Sequence, residues 1–433
     1  MNKHQKPFSW LRLLLWSHAF SIIAFYLILW FRTNPHTEKT SPLPVGTDLS
    51  RPPSDIPHSP TKTAQTVSII VPARNEQRNI RHCVTSLLEQ DYPSYEVIVV
   101  DDGSTDDTPC ILDDLAHHHP HGDKLWVLRL KDLPPGWAGK PHALHAGVQE
   151  AHGTWFLFTD ADTWHSPSAL RTALARATSE QVDLYTLGTK QELPGFWNKV
   201  MMPVAYLGIS MQYPIYKVND PNSDVAIANG QFILIRRAVY DITGGYGRPD
   251  LRNTLLDDRD LAHVVKQNGF CLRMEDGRDL VHVSMYSNLR ETWRGWRKNA
   301  YLGSRGGLPF VLLELIGLPM IGIIPFLLPL LAWLSWRTHP SRDSFSPSAI
   351  PARIPCLRPS HLTPRELTLA AALELSSALS YRLWLDRNLA VPWYYAFTYP
   401  LAAALFTGIL AESAWRVLTR KGVEWRGRNY YDS

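Results

Sequence analysis

Two carboxylates, Asp160 and Asp162, stand one residue apart directly behind the apolar run at residues 154–159. Hard oxygen donors at that spacing suit Mg²⁺ or Mn²⁺, and such a cation neutralises a diphosphate so that it can leave. Ser166 and Pro167 read as the cap and first position of the next helix, which leaves the acidic pair in a loop able to reach a ligand. His165 is a candidate further ligand; the other reading of a histidine after such a turn is packing or solvent exposure. A second acidic run, from Asp101 and Asp102 to Asp107, follows the strand-like residues 96–100, with Gly103 allowing a tight turn and the carboxylates suited to ribose or base groups. A third polar set, Arg74, Asn75 and Glu76, follows the apolar run 67–71 and Pro72. Each run taken singly is also readable as a turn with a helix cap. Their shared position is what points to a ligand site, because open α/β sheets bind ligands at the carboxyl ends of their strands.

The elements that position these groups follow from hydrophobic patterning. Between residues 66 and 300 short apolar runs alternate with amphipathic stretches, as expected of strand and helix units around a largely parallel sheet. Residues 67–71, 96–100, 125–130, 154–159 and 226–235 read as strands and 76–90 as a helix. No internal repeat is visible. Cys83, Cys110, Cys271 and Cys356 lack ligand-like spacing and read as reduced thiols. The run His117, His118, His119 and His121 reads as a solvated loop. A formal net charge of +4 with scattered basic residues gives no nucleic-acid footprint.

Apolar segments flank this domain. Residues 10–31 are almost wholly apolar after Arg12 and long enough to cross a hydrocarbon core of roughly 30 Å. No small-residue cleavage pattern follows them, so residues 1–32 are expected to form a retained anchor and 33–65, rich in proline, an extended tether. Residues 301–433 hold further apolar segments at 308–336, 367–385 and 390–415, from which two to three spans are expected. Pro319, Pro325 and Pro329 make the first a candidate broken or re-entrant helix. Arg337, Arg342, Arg353 and Arg358 after it, and Arg420, Lys421, Arg426 and Arg428 in the tail, place those stretches on the cytoplasmic side by positive-inside logic, where the catalytic domain is also expected, while the direction of the amino-terminal anchor stays open. The apolar, aromatic stretch 196–213 reads either as an interfacial segment or as a buried helix.

The succession VSIIVPARNE, VIVVDDGSTDDT, WAGKPHALHAG, FTDADT, NGQFILIRR and LDDRDL resembles the family 2 glycosyltransferases over about 235 residues. The resemblance implies a Rossmann-like GT-A fold flanked by transmembrane helices, a nucleotide-sugar donor, a divalent cation and inversion at the anomeric carbon. By it Pro72, Arg74 and Glu76 match the first nucleotide-contacting strand end, Asp101 and Asp102 the pair that meets base and ribose, and Asp160 and Asp162 the metal and diphosphate motif. Asp258 becomes the candidate general base, with Asp257 as the fallback and a helix cap as the rival reading. The stretch Pro134, Pro135, Gly136, Trp137 with Gly139 and Lys140 resembles the carotenoid- and hopanoid-associated branch, in which Lys140 would steady donor phosphates and the acceptor would be a lipid. Processive synthases of the family carry Gln-x-x-Arg-Trp where this chain has Thr292 to Asn299, which argues for a single transfer. Arg294 and Arg297 there are candidates either for the diphosphate or for a helix at the headgroup layer. The other readings are a polysaccharide or glycolipid synthase and an inactive membrane scaffold. Oligomeric state is not legible.

Overall fold

The computed structural model describes residues 10–33, 65–338, 362–425 and 428–430. Most of the expected tether and of the basic segment before residue 362 lies outside them. The described residues divide into two compact units, one of residues 10–33, 199–208, 308–338 and 362–411, the other of 65–198, 209–307, 412–425 and 428–430.

After helix α1 (Trp10–Thr33), strands β1 (Val67–Ala73), β2 (Tyr95–Asp101), β3 (Leu125–Arg129) and β4 (Trp155–Phe158) alternate with α2 (Ile80–Leu88), α3 (Thr108–His118) and α4 (Gly139–Gln149). There follow β5 (Thr163–His165), α5 (Ala169–Ser179), β6 (Leu184–Gly188), β7 (Lys190–Gln191), α6 (Phe196–Gln212), α7 (Ile215–Val218) and β8 (Ile233–Arg236). Then come α8 (Arg237–Thr243), α9 (Pro249–Arg252), α10 (Asp257–Gln267), β9 (Leu272–Asp276), β10 (Val281–Val283) and α11 (Leu289–Asn299). The main sheet runs β3-β2-β1-β4-β8-β6-β9, and β8 alone is antiparallel to its neighbours. A small sheet, β5-β10-β7, lies apart from it.

The sequence of β1, Val-Ser-Ile-Ile-Val-Pro-Ala, is apolar on both faces because β1 is central and covered on both sides. Ile69, Ile70 and Val71 are wholly buried, each stabilising the fold by roughly 1.5–3 kcal/mol. Helix α4 approaches the sheet so closely that a Cβ on Gly147 would meet Ile70 Cγ2 at 2.6 Å. That approach fixes where the amino end of α4, with Lys140, is held. The parallel register sets Ala73 beside Asp101 and Ile70 beside Phe158, so β1, β2 and β4 discharge their polar loops at one edge.

The strand expected over 226–235 is shorter: only Ile233–Arg236 is strand. Side-chain bonds to the backbone win upstream. Asn229 donates Nδ2–H to the Leu187 carbonyl at 2.8 Å and its own amide to Thr186 Oγ1 at 2.9 Å, folding Asn229, Gly230 and Gln231 into a turn.

A second glycine turn follows α8. Gly244 caps that helix with φ +78°, and Gly245 has φ +44°, with its ideal Cβ position 2.0 Å from Tyr240 Cζ. Gly245→Ala is therefore expected to destabilise the domain by roughly 2–3 kcal/mol, from backbone strain and overpacking together, read as a lowered Tm.

The remaining helices are α12 (Gly307–Gly322), α13 (Ile324–Thr338), α14 (Pro364–Asn388) and α15 (Tyr399–Leu418). Among the described residues two helices are long and apolar enough to cross a membrane, Trp10–Thr33 and Trp393–Leu418. Helices α12 and α13 together pass the same test, bent by 47° at their junction, with Pro319 inside one and Pro329 inside the other. Of the three apolar segments after residue 301, the one at 367–385 does not pass this test. Its helix, α14, buries Glu374, Arg382 and Asp386 and is not apolar enough. Arg382 Nε pairs with Asp386 Oδ1 at 2.8 Å, and Glu374 Oε1 meets His18 Nδ1 at 2.9 Å, so this polar face is turned inward among its own unit's helices. Residues 196–213 do form a helix, α6, whose Val200, Met201, Val204, Ala205 and Leu207 are buried.

Candidate active site

At the ends of β1 and β2 two loops are laced together by hydrogen bonds. The Arg74 guanidinium donates to the Asp102 carbonyl. Asn75, at φ +54°, donates its amide to Ser104 Oγ at 2.9 Å and accepts from the Thr105 amide at 2.8 Å. The Glu76 amide donates to Thr108 Oγ1 at 2.8 Å, and the Ser104 amide donates to Asp101 Oδ1 at 3.0 Å. Pro72 lies opposite Val100 in the ladder. Glu76, Asp101 and Asp102 are all buried, a costly placement for carboxylates that the lacing helps to offset. Pro72, Arg74, Glu76, Asp101 and Asp102 are thus brought to one edge by adjacent strands.

The second cluster joins distant segments. Lys140 Nζ, in the first turn of α4, lies 2.8 Å from Asp160 Oδ1 after β4 and 3.1 Å from Asp257 Oδ2 on α10. Asp258 accepts two backbone bonds, Oδ2 from the Gly230 amide at 3.1 Å and Oδ1 from the Arg259 amide at 2.8 Å. A Cβ on Gly230 would stand 2.9 Å from Lys140 Nζ and 3.3 Å from Asp258 Oδ2, so a side chain here would shift the lysine from its place.

The electrostatics follow from burial and crowding. Burial depresses Lys140, but Asp160, Asp257 and Asp258 outweigh it and hold the ammonium well above its ordinary pKa. Burial pushes Asp257 up to about 6, against the pull of Lys140. Lys298, near the end of α11, is lowered by burial, and it feels Asp257, Asp258 and Asp160.

Asp160 and Asp162 sit on a loop held by the Thr163 hydroxyl, which donates to the Asp160 carbonyl at 2.8 Å, and by the Ser284 amide, which donates to the Asp162 carbonyl at 3.2 Å. Among the described residues no group of three or more His, Cys, Asp and Glu is poised around a metal position. Two hard carboxylates on one loop nevertheless fit Mg²⁺ or Mn²⁺, ions that take few protein ligands and complete their shell with water and substrate phosphate.

His165 is seated in the core, with Nε2 at 3.0 Å from Thr159 Oγ1 and 3.2 Å from Thr163 Oγ1, and burial pushes its pKa down to about 3. A neutral, hydrogen-bonded ring at that depth has a packing role in this structure. Arg297 pairs with Glu412 at 2.8 Å, the same carboxylate that receives Trp293 Nε1 at 2.7 Å, while Arg294 is exposed. The residue of α11 whose charge reaches the carboxylate cluster is the next one, Lys298. Lys298, Gly230 and Tyr246 were not singled out from sequence. Only the glycines of the Asn229-Gly230-Gln231 and Gly244-Gly245-Tyr246-Gly247 runs signalled that close approaches occur there.

Residues 68–243 match the family model described as Glycosyl transferase family 2. The chain is 25% identical over 376 residues to the 4,4'-diaponeurosporenoate glycosyltransferase of Staphylococcus aureus strain MRSA252, covering 84% of this chain and 88% of that protein. The same enzyme from strain USA300 matches at 25% over 374 residues. Among solved structures, the mannosyltransferase PcManGT of Pyrobaculum calidifontis, in complex with GDP-Man and Mn²⁺, superposes with a TM-score of 0.50 at 19% identity, over 94% of this chain and 97% of that one. Residues 68–243 are thus a Glycosyl transferase family 2 domain, and the protein is a glycosyltransferase of the GT-A fold.

Proposed function

We propose that this enzyme transfers a single sugar, with inversion, from a nucleotide-sugar, a UDP-sugar in the first instance, to an isoprenoid or other lipid acceptor drawn from the membrane, with the catalytic domain on the cytoplasmic side. The observation that supports the reading is the position of Lys140, 2.8 Å from Asp160 and 3.1 Å from Asp257, the chain neighbour of the candidate base Asp258. A base and ribose enter between the laced loops at Pro72, Arg74, Glu76, Asp101 and Asp102. Lys140 then meets the diphosphate. A divalent cation held by Asp160 and Asp162 supplies, when bound, neutralisation of the departing diphosphate. Asp258, fixed by the Gly230 and Arg259 amides, takes the proton of the acceptor hydroxyl as its oxygen attacks the anomeric carbon. Direct displacement on the face opposite the diphosphate inverts that carbon. His165 and Arg297 take no part, since each is engaged elsewhere.

Two things support a lipid acceptor, the apolar helices at Trp10–Thr33 and Trp393–Leu418 and the carotenoid substrate in the relative's name, while the lack of the processive Gln-x-x-Arg-Trp motif supports a single transfer. The divalent ion is supported by the Mn²⁺ in the mannosyltransferase complex, whose GDP-Man also keeps GDP-sugars in the donor panel. The test is turnover of UDP- and GDP-sugars by detergent-purified enzyme with a membrane lipid extract, with Mg²⁺, Mn²⁺ or EDTA, read by mass spectrometry of the lipids. One added sugar mass per lipid, lost with EDTA, is the expected result. A ladder of masses or a water-soluble polymer would assign the enzyme to synthesis instead. No consumption of any nucleotide-sugar would leave the inactive scaffold.

A further inference from the structure

Two buried polar atoms near the base lack hydrogen bonds, and their chemistries are complementary. Asp257 Oδ2 accepts no hydrogen bond among the described residues; the Lys140 ammonium lies 3.1 Å from it, and the charge of Lys298 also acts on this carboxylate. The Tyr246 hydroxyl, on a side chain with 0% exposure, donates to no group among the described residues. Its ring is fixed edge-on to Phe158 at 5.4 Å, and its amide donates to Tyr240 at 2.9 Å. The Gly244-Gly245 turn, in which only glycine fits beside Tyr240, is what lets the chain deliver this ring. Of the charges that Tyr246 feels, Asp257 is the foremost, followed by Asp258 and Asp160. Burial and these carboxylates keep the hydroxyl protonated, hence a donor.

Orphaned buried polar groups are uncommon because each forfeits its bond to water. A buried donor and a buried acceptor that interact electrostatically and both lack a bond point to an arrangement completed in another state. The donor-bound state, as read above, supplies it. A diphosphate draws the Lys140 ammonium toward itself, and Asp257 is left as a buried carboxylate beside Asp258, with Lys298, itself lowered by burial, as the remaining cation acting on it. An uncompensated buried charge is the expensive outcome.

We propose that Tyr246 is a positioning residue of the donor site, whose hydroxyl hydrogen-bonds Asp257 Oδ2 when the donor diphosphate takes Lys140. The hydroxyl makes no hydrogen bond among the described residues, so its worth is expected on donor binding. This inference rests on the reading of Lys140 as the diphosphate ligand.

The test is Tyr246→Phe, which keeps the ring and its packing. Binding of UDP and of GDP with Mn²⁺ is measured by calorimetry, for wild type, Tyr246→Phe, Asp257→Asn and the double variant. The expected result is an unchanged Tm for Tyr246→Phe and binding of the preferred nucleotide weakened about 10- to 100-fold, the worth of a hydrogen bond to a charged group. In the Asp257→Asn background, where no charge needs compensation, the second substitution is expected to change binding little. Equal affinity of Tyr246→Phe and wild type would overturn the inference alone, as would losses that multiply in the double variant. A wild type that binds neither nucleotide would instead sink the nucleotide-sugar reading and carry this inference down with it.

Discussion

Asp258→Asn is expected to bind the donor as wild type does and to transfer the sugar roughly 10²- to 10⁴-fold more slowly, the contribution of a positioned general base. The substitution is close to isosteric, and the amide oxygen can still accept from the Gly230 amide as Asp258 Oδ2 does at 3.1 Å. What disappears is the charge and with it the capacity to accept a proton. The neighbouring carboxylate does not substitute. Asp257 is buried to 5% exposure and occupied by Lys140, whereas Asp258 is more open and held by main-chain donors that leave it free to act on a bound hydroxyl. Donor affinity by calorimetry and turnover of the lipid product separate the two effects, since a base acting only in the transition state lowers kcat without weakening donor binding. Retention of full kcat would remove Asp258 from the base role and make Asp257 the group to substitute next.

The parts of this enzyme that were legible in its sequence are those in which local chemistry decides. Strand β1 is read from a run of apolar residues long enough only for a buried strand, and the pairs Asp101–Asp102 and Asp160–Asp162 are read from their place behind such runs. The 226–235 stretch misleads because its apolar content matches a strand, while the competing bonds of Asn229 to Leu187 and Thr186 depend on a partner strand some forty residues away. Helix α14 misleads for a related reason. Its apolar residues suggest a span until Glu374, Arg382 and Asp386 are seen to share a buried face with partners such as His18. Lys298 was passed over in favour of Arg294 and Arg297 because helical phase relative to a site on other segments is not a sequence property. The lysine that sequence did single out, Lys140, is the one whose position is set by a local device, the glycine at 139 opening a helix.

That lysine is also where the second large effect is expected. Lys140→Met keeps the length of the side chain and removes the ammonium that lies 2.8 Å from Asp160 and 3.1 Å from Asp257. Two carboxylates are then left in a crowded site without their cation. Removing one partner of a buried pair costs about 3–5 kcal/mol, and the lower end applies because the Lys140 side chain keeps 32% exposure. The loss has a pH signature whose sign is fixed by Asp257. Its carboxyl already sits at about 6, above the ordinary carboxylate range, because of burial, and loss of Lys140 raises it further. A carboxyl raised in the folded state favours folding while it is protonated. Its contribution is complete below the ordinary carboxylate pKa and is lost as pH rises through about 6 in the wild type and through a higher value in the variant. The gap in Tm between wild type and Lys140→Met is therefore expected to be wide at pH 8 and to narrow toward pH 5. A gap independent of pH would mean that the variant fails through lost packing, and the charge cluster would then not be what Lys140 holds together. Nucleotide binding supplies the other half of the argument. If Lys140 only balances carboxylates, protonating Asp257 at pH 5 restores UDP affinity along with stability. If it also grips the diphosphate, stability recovers at pH 5 while affinity does not, because no proton on a carboxyl replaces an ammonium facing phosphate.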